Sequence, residues 1–274
     1  MRFFCINAYF FVLLHEIIPE LTELNENMDD YFSRSEALLG AEVMESLRQK
    51  RVILFGVGGV GSWCAEALIR TGLMHLTIVD DDVVQASNVN RQLPATRVTL
   101  GRPKVEVLRE RLLTINPEAN IVALQQRYSC QPSEVSIQLD EFDYIIDAID
   151  SVADKTDLII HASRVRGCKV FSSMGAALRY DPTQVRVAEL MDVKGDALAK
   201  AVRARMKKMD VRPYKKVKCV YSLEPAVRIQ NTEYRIQTDL DSPQVPVKGS
   251  LMQVTAVFGC TLASLVIEDV RKKS

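Results

Sequence analysis

The sequence predicts an α/β fold: a Rossmann-like, mostly parallel, doubly wound sheet with helices on both faces, plus a C-terminal α+β extension. Three observations predict it. Short apolar runs of strand length alternate with longer segments of helical periodicity from residue 51 to about residue 173. The first run leads directly into Gly56-Val57-Gly58-Gly59-Val60-Gly61-Ser62, which is followed by a helical pattern. The second run ends in Asp80, 24 residues after Gly56.

Each element has its own signal. Arg51–Phe55 (RVILF) is an apolar run that stops at a glycine, the mark of a buried strand. Val60–Thr71 has helical periodicity and stops at Gly72, a residue suited to a left-handed cap. His75–Asp80 is the second strand. Pro103 opens the next helix, which ends before Asn116-Pro117. Ile121–Leu124 and Asp143–Ile149 are further strands, Lys155–Arg166 is a helix, and Lys169–Ser173 is the fifth strand. After Asp181-Pro182 the alternation changes. Gln184–Leu190 reads as a strand and Gly195–Met209 as a helix rich in Lys and Arg, followed by short strands and a final helix. The apolar stretch Leu251–Ile267 is near the ~17-residue lower limit for a membrane span. It is broken by Gln253, Thr255, Gly259, Thr261 and Ser264, so it is expected to be a core helix that closes the domain rather than a membrane anchor.

The chain has 274 residues, 35 Lys+Arg against 35 Asp+Glu, and 47% apolar residues, enough to build a core without disulfides or a structural metal. The charge balance and the low Pro and Gly content exclude collagen-like and disordered classes and a polycation that coats nucleic acid. No two of the six cysteines form a CxxC pair, so no zinc is expected and the thiols are expected to be reduced in the cytoplasm. Residues 1–28 form an N-terminal extension, apolar from Phe3 to Leu14 and without a signal-peptide cleavage pattern, read as a non-native stretch from an upstream start codon with Met28 as the true start. Residues 29–274 are expected to form one domain, with 191–274 as its substrate-facing part.

The glycines of the 56–61 loop allow a tight turn and let backbone N–H groups approach phosphate at a helix N-terminus. Asp80 stands where a carboxylate can accept ribose hydroxyls. These features imply an adenine nucleotide and leave NAD, FAD, S-adenosylmethionine and ATP open. His15, His75 and His161 are isolated and suggest neither a triad nor a metal site.

The stretch from Asp80 to Gln92 (DDDVVQASNVNRQ) is unlike a dehydrogenase. Together with Gly101–Glu106 (GRPKVE), Ile115-Asn116-Pro117, Asp147–Ser151 (DAIDS) and Tyr31–Ser35 (YFSRS), it resembles the adenylating enzymes of the ubiquitin-activating superfamily, over residues 31 to about 190 and in family order. Gly61–Leu68 (GSWCAEAL), Arg70-Thr71-Gly72, Lys155, Asp181–Gln184 (DPTQ) and Cys219–Ser222 with Glu224 are similar to one branch, the tRNA threonylcarbamoyladenosine dehydratases. That resemblance implies an ATP-dependent enzyme that forms AMP and pyrophosphate. It would adenylate the threonine carboxylate of N6-threonylcarbamoyladenosine next to the tRNA anticodon and cyclise it with net loss of water. An activator of a ubiquitin-like sulfur carrier is the alternative, and the missing CxxC pairs weigh against it.

The resemblance also implies roles. Arg91 and Lys104 would contact phosphates, and Arg34 would reach into the partner's site of a homodimer. Asp150 would hold Mg²⁺ and act with those three as the catalytic set. Gly56, Gly58, Gly59, Gly61, Ser62, Asp80, Asn88 and Ser151 would bind the nucleotide; Asp147 would support the site. A monovalent cation and a cysteine desulfurase partner are further expectations of this branch, and Cys219 is read as a strand residue.

One segment points to RNA without the resemblance. From Lys200 to Lys218 there are nine basic residues and one acid, Asp210, a net +8 in a neutral chain. Lys207, Lys208, Lys215 and Lys216 are the expected phosphate contacts, with Tyr214 placed to stack on a base.

Overall fold

The structure is a computed structural model and describes residues 31–128, 137–227, 235–236, 245–246 and 248–274. The extension at residues 1–28 therefore lies outside the described residues, as do Cys5 and Cys130.

The first elements of the described residues are two short helices, α1 (Ser33–Leu39) and α2 (Ala41–Arg48), separated at Gly40 with its φ of 85°. β1 (Arg51–Phe55) follows and sets the layering. Its side chains alternate between faces, as the two-residue strand period requires. Val52 and Leu54 enter one core, and Ile53 and Phe55 enter the other. Both faces are covered because parallel strands need crossover helices, so the strand is apolar throughout rather than alternating in polarity.

Next come α3 (Gly61–Arg70), β2 (His75–Val79), α4 (Lys104–Leu113), β3 (Asn120–Leu124), β4 (Tyr144–Asp147), α5 (Val152–Arg164) and β5 (Lys169–Ser173). β6 (Val185–Glu189), α6 (Ala197–Lys208), β7 (Lys218–Ser222), β8 (Arg235–Ile236), β9 (Val245–Pro246) and α7 (Met252–Arg271) complete the described elements. The main sheet has the order β3-β2-β1-β4-β5-β7-β6. It is parallel from β3 to β7, and β6 closes it antiparallel to β7. The C-terminal extension thus lengthens the main sheet, while β8 and β9 pair separately. α2, α3, α4 and α7 supply one core, and α5 and α6 the other.

Helix ends differ from the sequence expectation where capping decides. α5 begins at Val152 rather than Lys155, because Ser151 caps it and accepts from the Asp154 N–H. α6 begins after Asp196, whose carboxylate accepts from the Ala199 N–H at 2.8 Å. Pro103 stands at the N-cap of α4 instead of inside its first turn.

α7 is long and apolar enough to cross a membrane by length and composition, and half of that window is buried within the protein. Val254, Phe258, Leu262, Val266 and Val270 are fully buried on the face turned to the core. Met252, Gln253, Ser264, Glu268 and Arg271 are exposed. The helix therefore does the expected work of closing the domain.

Its crossing with α3 depends on Gly259. A Cβ there would lie 2.4 Å from the Val60 carbonyl oxygen and 2.8 Å from the Cys64 nitrogen. Both are backbone atoms that cannot swing away. The crossing presses on the first turn of α3, which carries the glycine loop, and burial there pushes the Cys64 thiol well above its usual range. Gly259→Ala is expected to cost about 1–3 kcal/mol through overpacking, read as a lower denaturation midpoint with an unchanged m-value.

Candidate nucleotide site

Strand order reverses between β1 and β4, and in open α/β sheets the crevice beyond the carboxyl ends at such a point receives ligands. The loops after β1, β2 and β4 meet there. Gly56 has φ 86°, and a Cβ on it would lie 2.7 Å from the Ala148 carbonyl oxygen. A Cβ on Gly61 would lie 1.8 Å from the Gly56 carbonyl oxygen. These two glycines are needed to fold the loop against the turn after β4. Gly58 and Gly59 meet side chains instead, Gln92 at 3.6 Å and Thr255 and Arg91 at 3.3 and 3.4 Å. Their bareness is not demanded by backbone packing.

Ser62 departs from the expectation that it contacts nucleotide. It is fully buried, its hydroxyl donates to the Gly58 carbonyl at 2.6 Å and accepts from the Leu93 N–H at 3.3 Å. It braces the loop from behind and ties it to the segment that carries Arg91.

Asp80 sits at the end of β2 beside the loop. One carboxylate oxygen accepts from the Val57 N–H at 2.7 Å and the other from the Asp82 N–H at 2.9 Å. Burial raises its pKa, opposed by the Lys104 charge and these N–H groups. Lys104 is almost fully buried and donates to exposed Asp82 at 2.6 Å. The backbone joins the same two segments: Val84 N–H donates to the Arg102 carbonyl, and Lys104 N–H donates to the Asp82 carbonyl. The carboxylates of Asp80, Asp81 and Asp82 lie within 4.8 Å of one another.

Arg91 is half-buried, and its guanidinium donates to the Ser87 carbonyl and the Asn90 side chain at 2.9 Å each. Trp63 donates its indole N–H to the Arg91 carbonyl at 3.1 Å, holding the residue against α3. Burial lowers the Arg91 pKa, and the charge of Asp150, exposed on the turn after β4, acts in the opposite direction. The structure thus brings the glycine loop, Asp80, Arg91, Lys104 and Asp150 to one crevice. Asn88 is buried instead, and its side-chain oxygen accepts from the Gln85 N–H at 3.0 Å in a capping box, so that oxygen shapes the Arg91 segment. Ser151 likewise caps α5. Arg34 is exposed on α1, with no hydrogen bond or ion pair to it among the described residues, and nothing within this one chain brings it to the crevice.

Beneath the crevice lies a pair whose role the sequence did not disclose. Asp147 and Lys155 are both fully buried and meet at 2.6 Å. Ser172 donates to the same Asp147 oxygen at 2.6 Å, Ile149 N–H donates to the other at 3.0 Å, and Lys155 also donates to the Ser173 carbonyl at 2.8 Å. The signal available was an acid and a lysine eight residues apart across a strand-to-helix turn, both among apolar neighbours.

The basic segment is only partly free. Lys207 and Lys208 are exposed at the end of α6, and Tyr214 is 84% exposed. Lys215 corrects the expectation: its ammonium turns inward and donates to the Val165 and Cys168 carbonyls, which end α5 and precede β5. Lys216 is exposed but paired with Glu189 at 2.8 Å. Arg203 donates to the Leu190 carbonyl and Arg205 pairs with Asp157. Cys219 is fully buried in β7, and burial pushes its thiol up to about 12, so it offers no reactive thiolate to a partner.

The glycines separate by experiment. Gly61→Ala is expected to cost at least about 2 kcal/mol, because Gly56 must be displaced. Gly58→Ala is expected to stay within about 0.5 kcal/mol of the parent chain and to leave ATP affinity near the parent value, since its Cβ would meet only the Gln92 side chain, at 3.6 Å. Denaturant titration and calorimetry with ATP check both; equal stability losses at the two positions would contradict this division.

Comparison with known proteins identifies the family and agrees with the fold. The ThiF family model matches residues 32–273. The chain is 34% identical to the tRNA threonylcarbamoyladenosine dehydratase of Bacillus subtilis over 88% of this chain and 94% of that one. It is 35% identical to the enzyme of the same name from Haemophilus influenzae, over 90% and 96% of the two chains. The crystal structure of the Escherichia coli dehydratase TcdA in complex with ATP superposes with a TM-score of 0.73 at 31% identity, covering 89% of this chain and 95% of that one. Matched by the family model over nearly all of its described length, this chain belongs to the ThiF family.

Proposed function

We propose that this chain is an ATP-dependent tRNA threonylcarbamoyladenosine dehydratase. The observation that carries the reading is the convergence of the glycine loop, Asp80, Arg91, Lys104 and Asp150 at the switch point, in a chain that aligns almost end to end with dehydratases of that name. A threonine carboxylate oxygen attacks the α-phosphorus of ATP and pyrophosphate leaves. A nitrogen or oxygen of the same threonylcarbamoyl group then attacks the acyl carbon and AMP leaves, so the product is one water lighter than the substrate. Negative charge builds on phosphate oxygens during the first step, and fixed cations aimed at it are the main catalytic device. Arg91 and Lys104 fill that role. The loop N–H groups at the start of α3 receive phosphate, and Asp80 receives the ribose.

The acids fit Mg²⁺ unequally. Both Asp80 oxygens already accept backbone N–H groups, and Asp82 holds Lys104. Asp150 is exposed and makes no hydrogen bond among the described residues, which suits a cation that keeps most of its waters and takes one or two carboxylates with phosphate. Bound there, the ion would neutralise phosphate charge. Arg34, exposed and without a hydrogen bond or ion pair among the described residues, is assigned to the neighbouring site of a homodimer. Lys207, Lys208 and Tyr214 are assigned to the tRNA.

Incubating the protein with ATP, Mg²⁺ and threonylcarbamoyl-modified tRNA should lower the mass of the modified nucleoside by one water, with AMP and pyrophosphate released. An unchanged nucleoside mass would falsify the reading. Arg34→Ala and Asp150→Ala chains, each inactive alone, should regain activity when mixed. Verified mixed dimers without activity would show that Arg34 does not act across the interface.

A further inference from the structure

The segment that leaves β5 carries two unfavourable features side by side. Leu178 has φ 63°, in the left-handed region that a bulky side chain rarely adopts. It is held there from both sides: its N–H donates to the Gly249 carbonyl at 2.8 Å and its carbonyl accepts from the Val227 N–H at 2.9 Å. The next residue, Arg179, is 3% exposed, and its Nε and Nη1 are buried with no hydrogen-bond acceptor. Its Nη2 lies 3.6 Å from the buried Asp196 carboxylate, an ion pair at longer than hydrogen-bond distance that leaves Nε and Nη1 unmet.

Asp196 cannot be called the missing acceptor. Its oxygens already accept from the Ala199 N–H at 2.8 Å, capping α6, and from the Gly175 N–H at 3.1 Å, fixing the turn after β5. A Cβ on Gly175 would lie 3.2 Å from that carboxylate, so the close approach uses the glycine. The arrangement keeps a permanently charged guanidinium in place, largely out of water, with donors unused. Burying such donors is costly, and strain that persists next to them marks sites where function demands it. Among the described residues that the mechanism leaves unused, no other combines burial, charge and two unmet donors. Position agrees: Leu178 N–H donates to the Gly249 carbonyl, the neighbouring Ser250 carbonyl accepts from the Asn90 side chain, and the Asn90 side-chain oxygen accepts from Arg91, which ties the segment to the crevice.

We propose that Arg179 is a substrate-binding residue that receives an oxyanion of the acyl-bearing substrate, a carboxylate or an RNA backbone phosphate, beside the nucleotide crevice. The choice of substrate rests on the dehydratase reading above. The binding of an oxyanion does not.

The test uses Arg179→Met and Arg179→Lys in the full chain. Both variants remove the unmet Nε and Nη1 donors, and only the Met variant also removes the charge opposite Asp196. The Met variant is therefore expected to melt lower than the parent chain. If Arg179 is kept for a ligand, that variant, assayed below its transition, should show a KM for modified tRNA raised at least tenfold with ATP affinity unchanged. The Lys variant, which keeps the charge, should recover part of the KM. Two binding measurements need no turnover and separate the sources. Weakened binding of unmodified tRNA assigns the phosphate; weakened binding of the free threonylcarbamoyladenosine nucleoside alone assigns the carboxylate. An unchanged KM with unchanged binding of both ligands overturns the proposal, and so does a Lys variant that folds as the parent chain does but loses tRNA and ATP affinity in parallel, since Arg179 would then only shape the site. A parent chain that removes no water from modified tRNA overturns the dehydratase reading instead, and the two binding measurements still decide the role of Arg179.

Discussion

The ion pair of Lys155 with Asp147 is the interaction on which the rest of the crevice depends. It joins the end of β4, the first turn of α5 and the end of β5, through the lysine's contacts with Asp147 and the Ser173 carbonyl. A buried pair of this kind adds little net stability against an apolar replacement of both partners, but loss of one partner typically costs about 3–5 kcal/mol. Its value here is geometric. The Asp147 carboxylate also receives the Ile149 N–H, so the turn that presents Asp150 and Ser151 is set by a group that has no freedom to move. The Gly56–Gly61 loop then packs against that turn at Ala148, and the two halves of the crevice are built on one floor.

The other wall is assembled from segments distant in the chain. Trp63 on α3 holds Arg91, Ser62 holds Leu93, and the segments around Asp82 and Lys104 are joined backbone to backbone. Several motif residues therefore serve the shape of the site rather than its contents. Ser62, Asn88 and Ser151 each commit a side-chain oxygen to a loop or helix end. The cations are also restrained, Arg91 by two acceptors and Lys104 by Asp82, which favours electrostatic preorganisation over flexible recruitment.

Charge on the outer surface shows the same division. A run of nine basic residues suggests a continuous cationic face, yet in the folded chain three of them serve internal partners: Lys215 ends α5, Arg203 caps the segment after β6, and Arg205 binds α5 through Asp157. What remains outward at the end of α6 is Lys207 and Lys208, with Arg212 and Tyr214 just beyond. Residues equivalent in a count of charge are not equivalent once helix ends, which carry unsatisfied carbonyls, compete for them.

By itself the sequence determined the strands, most of the helices, the parallel doubly wound class and the position of the nucleotide loop. These follow from local signals: Arg51–Phe55 is apolar on both faces, glycines sit where a tight turn needs them, and Asp80 ends a strand at the spacing a ribose partner requires. The motif set in order also indicated the family. Only the tertiary structure decided that the C-terminal segment extends the main sheet through β7, that Gly259 is the contact point between α7 and α3, and that Lys155 belongs to Asp147. It also decided that Lys215 faces inward and that Arg179 stands buried without acceptors. The physical reason is the same in each case. A residue's local pattern reports the period of its own element, whereas burial and hydrogen-bond partners depend on which other elements the sheet order and helix packing bring beside it.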